Sequence, residues 1–346
     1  MRYPKFLEEN GTIGLVAPSF GCSFDPYVTC LNEAEKYFEG RGFSIEEGPN
    51  TRKGEGIGIS STPENCGKEL TDMYISSSNN MLVSVGGGEL MCETIDHVDF
   101  EKVKAANPKW FMGYSDNTNF TFLLNTICDV ASIYGPNMPE FGMEKLHSSL
   151  TDTIDVFTGK LNRVSGYDLF EIQSFKDENH PTVGYNLTEK KQLKLFMGEN
   201  EMNRLPVVEG RIIGGCLDCL ANLVGTKYDN VAQFNEKYAD DKIIWFVEAC
   251  ELNVMSIRRA LWNMDRAGWF KNVAGFIVGR PDMAFGQELM GLNQYTAVTG
   301  ILGKYNVPII MDADIGHISP TLPIICGSMA EVSTEGNNIT LEYHFC

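Results

Sequence analysis

Apolar runs alternate with segments of helical periodicity along the first third of the chain. Residues 12–17, 81–85 and 110–113 are apolar at nearly every position and predict buried strands, while 27–39 and 118–128 carry helix-compatible spacing. Consecutive apolar strands separated by helices predict a parallel sheet covered on both faces. From 151 to 209 the pattern weakens into polar, turn-rich sequence, including Lys176-Asp177-Glu178-Asn179-His180-Pro181, and reads as a linker or surface segment. The alternation resumes at Gly210, with a helix over 217–224, strands over 242–247, 274–278 and 307–311, and a helix over 255–267. Residues 330–345, rich in Thr, Val, Ile and Tyr about the turn Glu335-Gly336-Asn337-Asn338, predict a terminal hairpin. The expected organisation is an N-terminal α/β domain over 1–150, a linker or substrate-loop segment over 151–209, and a β-rich domain over 210–346.

Composition narrows the partners. The 346 residues suit two domains. Lys and Arg number 28 against 46 Asp and Glu, a net charge of −18 that repels nucleic acid and anionic membrane surfaces. No apolar stretch approaches the ~18 residues of a membrane helix, and Met1-Arg2-Tyr3-Pro4-Lys5 leads into no signal-peptide core. Ten scattered cysteines fit buried thiols in a reducing compartment, so a cytoplasmic protein is expected. Cys216 and Cys219 form a CxxC, but no second pair or nearby histidine completes a zinc set, and no metal is expected.

Four signals stand at or just after the ends of apolar runs, where open parallel sheets gather ligands: Gly86-Gly87-Gly88, Ser115, Glu248 and His317. Ser115, in Gly113-Tyr114-Ser115-Asp116, lies where a strand gives way to a helix. That position aims its hydroxyl toward the positive helix end and offers the Asp116 N–H to an oxyanion; capping the helix is the alternative role. The glycines would let backbone approach a substrate and supply a second oxyanion donor, or simply make a tight turn. They do not form GxGxxG, because Met91 takes the third glycine position. A serine nucleophile needs a base. His97 lies on a helix-like stretch, His147 and His180 in polar segments and His344 in the hairpin, whereas His317 follows a buried strand in a loop bounded by Gly316 and Pro320. Glu248, ending the run Ile243-Ile244-Trp245-Phe246-Val247, is a candidate to orient it, with Asp312, Asp314 and Glu251 as competitors. An α/β-hydrolase elbow is disfavoured, since Asn117 stands where GxSxG has its second glycine.

Taken together, Ser115, Glu248 and His317 in that order resemble the LD-carboxypeptidase family of serine peptidases, most of all its microcin C immunity-type branch. The likeness spans Gly14-Leu15-Val16-Ala17-Pro18-Ser19, Val85-Gly86-Gly87, Lys109-Trp110-Phe111-Met112-Gly113-Tyr114-Ser115-Asp116, Tyr134-Gly135-Pro136, Gly210 to Asp218, Phe246-Val247-Glu248 and Gly316-His317. It implies a flavodoxin- or glutamine-amidotransferase-like parallel-sheet domain followed by a smaller β-rich domain, commonly in a homodimer. It implies Ser115 as nucleophile, His317 as base, Glu248 as its orienter, and an oxyanion hole from backbone near Gly86, Gly87, Gly88 and Asp116, with no cofactor. Two substrate classes follow from it: the murein tetrapeptide, cut at an L,D bond, and the peptidyl or aminoacyl adenylate of microcin C-like toxins. The length of 151–209 and the Gly214-Gly215-Cys216-Leu217-Asp218 run favour the second. The immunity branch stacks a central tryptophan on the nucleobase, but this chain has no Trp between Trp110 and Trp245, leaving Tyr167, Phe170, Phe175, Tyr185 or Phe196 for that role. A protein of the same fold that only sequesters a peptide or adenylate is the rival reading.

Overall fold

Residues 1–345 are described by a computed structural model and fall into two units, Met1–Leu161 with Gln173–Asn186, and Asn162–Ile172 with the chain from Leu187 onward. In the first unit, strands β1 (Thr12–Val16), β2 (Ser44–Glu47), β3 (Met81–Ser84), β4 (Trp110–Gly113) and β5 (Ser132–Tyr134) pair in the order β5-β4-β3-β1-β2, all parallel. Every residue of β3 and β4 is buried, which is why they read as unbroken apolar runs. Because the strands run the same way, Val16, Ser84 and Gly113 end at one edge, and the loops carrying Ser19, Gly86–Gly88 and Ser115 all leave from it.

Helix α1 (Tyr27–Glu39) turns Cys30, Leu31, Ala34 and Phe38 inward. Helix α2 (Pro63–Ile75) has no counterpart in the sequence pattern. It starts on Thr62, whose hydroxyl accepts from the Asn65 N–H at 3.3 Å, with Pro63 in the first turn. Its inward face includes the buried Glu69, which accepts from the Ala17 and Asn50 N–H groups at 3.1 and 2.8 Å and so interrupts the apolar period. Leu70 and Tyr74 from α2 pack with Val16, Leu82, Phe111, Phe120 and Leu124 in one core.

The second unit is built on a nine-stranded mixed sheet. Its spatial order is Asn200–Met202, Lys194–Met197, Pro308–Ala313, Val273–Gly279, Ile243–Glu248, Val208–Cys216, Met329–Glu335, Asn338–His344 and Arg163–Ser165. The four strands from Pro308–Ala313 through Val208–Cys216 are parallel, and antiparallel strands flank them. The expected hairpin forms, with Glu335 opposite Asn338. Helices Leu217–Leu223, Val254–Arg266 and Gln294–Leu302 accompany this sheet, the second starting on Asn253, which accepts from the Ser256 N–H at 3.0 Å.

The segment 151–209 does not run as a free linker. Helix Ser148–Phe157 and residues 173–186 belong to the first unit, while 162–172 and 187–209 add edge strands to the second. Its inward residues, such as Val164, Phe170, Leu195 and Phe196, sit on strands of two to four residues, too short to produce a readable period. Among the described residues no helix is long and apolar enough to cross a membrane.

Candidate active site

Ser115 follows β4 and precedes helix Thr118–Thr126, with φ of +62°, the left-handed region that costs a non-glycine residue about 1–3 kcal/mol. Its surroundings hold it there. The Ser115 N–H donates to the Tyr134 hydroxyl at 3.1 Å. Asn117 Nδ2 donates to Gly86 O at 2.8 Å and Tyr114 O at 3.0 Å, joining the glycine loop to the serine turn. Gly113 is required because a Cβ there would lie 2.8 Å from Asn117 Cγ. Asp116 is buried, its carboxylate accepting from Ser19 Oγ at 2.5 Å, the Met91 N–H at 2.9 Å and Asn119 Nδ2 at 3.0 Å. The side chain of Asp116 therefore clamps three loops, a role the sequence did not disclose. The helix itself begins at Asn117 without a side-chain cap.

Of the three glycines, Gly87 faces the serine: a Cβ built on it would lie 3.1 Å from Ser115 Cβ and 3.2 Å from Oγ. Its N–H donates to no group among the described residues, while its carbonyl accepts from the Phe20 N–H at 2.8 Å. Gly86 packs on the Phe20 carbonyl and Gly88, with φ of +154°, on the Ser19 hydroxyl, so these two shape the loop rather than face Ser115.

In the second unit, Glu248 ends its strand fully buried, and its Oε2 lies 2.9 Å from His317 Nδ1. Burial works against the imidazolium, but the Glu248 carboxylate and the Cys250 thiol beside it outweigh that cost and raise His317 well above the usual histidine range. The loop is closely fitted: a Cβ at Gly316, where φ is +104°, would lie 2.6 Å from Glu248 Oε2, and one at Gly279 would lie 2.1 Å from Ile315 O.

The competing carboxylates are occupied elsewhere. Asp312 accepts from Gln294 Nε2 and Tyr295 Oη, both at 2.7 Å, Asp314 pairs with Arg280 and Lys191, and Glu251 is exposed. Asp218 accepts from the Cys250 and Glu251 N–H groups at 3.1 and 3.0 Å and fixes the chain just after Glu248. The other histidines have local tasks: His147 caps helix Ser148–Phe157, His180 contacts Asp177, His97 lies 3.8 Å from Glu64, and His344 ends a strand. Cys216 is buried, its thiol shifted well upward by hydrogen bonding to Cys219 and by burial. Among the proposed stacking aromatics, Phe170 and Phe196 are core residues, Tyr185 packs on His147, and Phe175 is exposed.

Residues 13–135 match the family model described as the LD-carboxypeptidase N-terminal domain, and residues 209–332 match that of its C-terminal domain. The chain belongs to the LD-carboxypeptidase family. The microcin C7 self-immunity protein MccF of Escherichia coli is 25% identical over 97% of this chain and 94% of its own length. A Bacillus subtilis protein described as a probable murein peptide carboxypeptidase is 22% identical over 98% and 94%. The solved structure of MccF in complex with aspartyl sulfamoyl adenosine has the same fold, with a TM-score of 0.80 at 19% identity over 99% of both chains.

Proposed function

We propose that this member of the family is a serine carboxypeptidase or amidohydrolase in which Ser115 is the nucleophile, His317 the general base and Glu248 the residue that orients it. The reading rests above all on Ser115, held in a strained turn against Gly87, where a reacting carbonyl would meet both a hydroxyl and an unengaged N–H. Glu248 engages Nδ1 of His317, so Nε2 is the atom that takes the serine proton and returns it to the leaving nitrogen. The N–H groups of Gly87 and Asp116 receive the negative charge that develops on the carbonyl oxygen. Water then releases the acyl group from Ser115, so no cofactor is needed, and the enzyme is taken to act as a cytoplasmic homodimer.

The proposed substrate is a small peptide conjugate cut at a C-terminal amide-type bond, foremost an aminoacyl or peptidyl nucleotide of the microcin C type. Full-length similarity to MccF, solved with an aminoacyl sulfamoyl nucleoside, supports this choice. The L,D bond of a murein tetrapeptide is the second reading, supported by the equally extensive similarity to the Bacillus subtilis relative. Purified protein offered aspartyl sulfamoyl adenosine and a murein tetrapeptide should cleave one of them, as followed by chromatography of the products. Ser115→Ala should abolish that cleavage and labelling by a fluorophosphonate while leaving the circular dichroism spectrum intact. Persistent turnover in S115A would sink the mechanism, and wild-type protein that binds either compound without cutting it would favour sequestration.

A further inference from the structure

The loop bearing His317 is fastened by a buried charge cluster that the mechanism above does not use. Asp314 is wholly buried, with Oδ1 2.8 Å from Arg280 Nη1 and Oδ2 3.0 Å from Lys191 Nζ, and Oδ2 also accepts from the Tyr167 N–H at 2.8 Å. Arg280 is equally buried, its guanidinium lying over the Phe170 ring at 4.4 Å from the centroid. From there Nη1 donates to Asp312 O at 3.0 Å and Nη2 to Ile318 O at 3.4 Å. One guanidinium thus holds the carbonyls on either side of the base, together with the carboxylate between them. Lys191 and Tyr167 come from the segment that the sequence left without a pattern.

Two cations on one fully buried carboxylate are a poor source of stability, because desolvation of all three groups offsets their attraction and apolar replacements of similar shape often serve as well. What such a cluster supplies is a fixed geometry. We propose that Arg280 and Asp314, with Lys191, are positioning residues for His317: they set the path of residues 312–318 and so the direction in which the imidazole presents Nε2. The proposal rests on the reading of His317 as the base.

The test uses the full chain with the cleaved substrate, comparing wild type with Arg280→Lys, Asp314→Asn and His317→Ala. R280K keeps the charge but cannot span Asp314, Asp312 O and Ile318 O at once, and it should lower kcat by about 10²-fold, the cost of a small misplacement, with KM changed by no more than about twofold. The His317 imidazole resonance, assigned by its loss in H317A, should titrate at a different pH in R280K than in wild type. D314N, of the same shape as the native residue, should act in the same direction and answers the question if R280K does not fold. Variants that lose only thermal stability, with kcat and the His317 titration unchanged, overturn the positioning role. Wild-type turnover in H317A would instead overturn the assignment of the base, so the two failures are distinguishable.

Discussion

Replacing Glu248 by glutamine is the sharpest probe of the second-unit pair. At 2.9 Å, and with an effective dielectric of about 20, the attraction between the Glu248 carboxylate and an imidazolium is about 6 kcal/mol. That attraction supports the cation, and burial of the ring works against it. E248Q removes the support and leaves the burial, so the His317 pKa should fall from well above the ordinary value to near or below it. The acid limb of the kcat/KM profile should therefore move to lower pH. The maximum should also drop by about 10⁴-fold, because an amide facing Nδ1 no longer holds the proton there and favours the wrong tautomer. Stability moves in the opposite sense. The raised histidine contributes stability that is fully present below its unfolded value near ~6.5 and is lost as pH rises through the folded value, so the difference in melting temperature between wild type and E248Q should be greatest in acid. Rate profiles across pH, with thermal melts in the same buffers, read both effects. An E248Q enzyme with an unmoved acid limb and a near-native maximum would refute the reasoning.

Two further substitutions test the first unit. Gly87→Ala places a methyl 3.2 Å from Ser115 Oγ, in the space a carbonyl oxygen should occupy, and should cost about 10²–10³-fold in kcat with folding preserved; an unchanged kcat would place the oxyanion elsewhere. Ser19→Ala removes a hydrogen-bond partner of the buried Asp116 carboxylate and should destabilise the protein by about 1–3 kcal/mol in chemical denaturation, whereas no loss would show that the clamp is redundant.

Much of this was legible because buried parallel strands announce themselves. The runs at 110–113 and 243–247 are apolar on both faces, so the first polar residue at each end, Ser115 or Glu248, stood out. Helix α2 did not, because its inward Glu69 answers two backbone N–H groups and breaks the apolar spacing. The segment 151–209 was opaque for a related reason: strands of a few residues at a sheet edge gain their burial from neighbours distant in sequence, such as Lys194–Met197 against Pro308–Ala313. The choice among Glu248, Asp312, Asp314 and Glu251 was likewise undecidable from spacing. Which carboxylate meets an imidazole depends on side-chain direction, and Asp312, with φ of +59°, turns its carboxylate to Gln294 and Tyr295. The backbone-holding roles of Tyr134 and Asn117 were not legible, since a hydroxyl or amide that holds backbone looks in sequence like any other.

Gly316 bears on how this protein could diversify. With no room for even a methyl beside Glu248 and a backbone conformation that other residues resist, position 316 welds the histidine loop to the carboxylate strand. Neither can drift without the other, so a lineage or a designer seeking new substrates has little freedom there. Exposed side chains such as Phe24 and Phe175 carry no comparable steric lock, so substitutions there leave the contact between His317 and Glu248 unaltered.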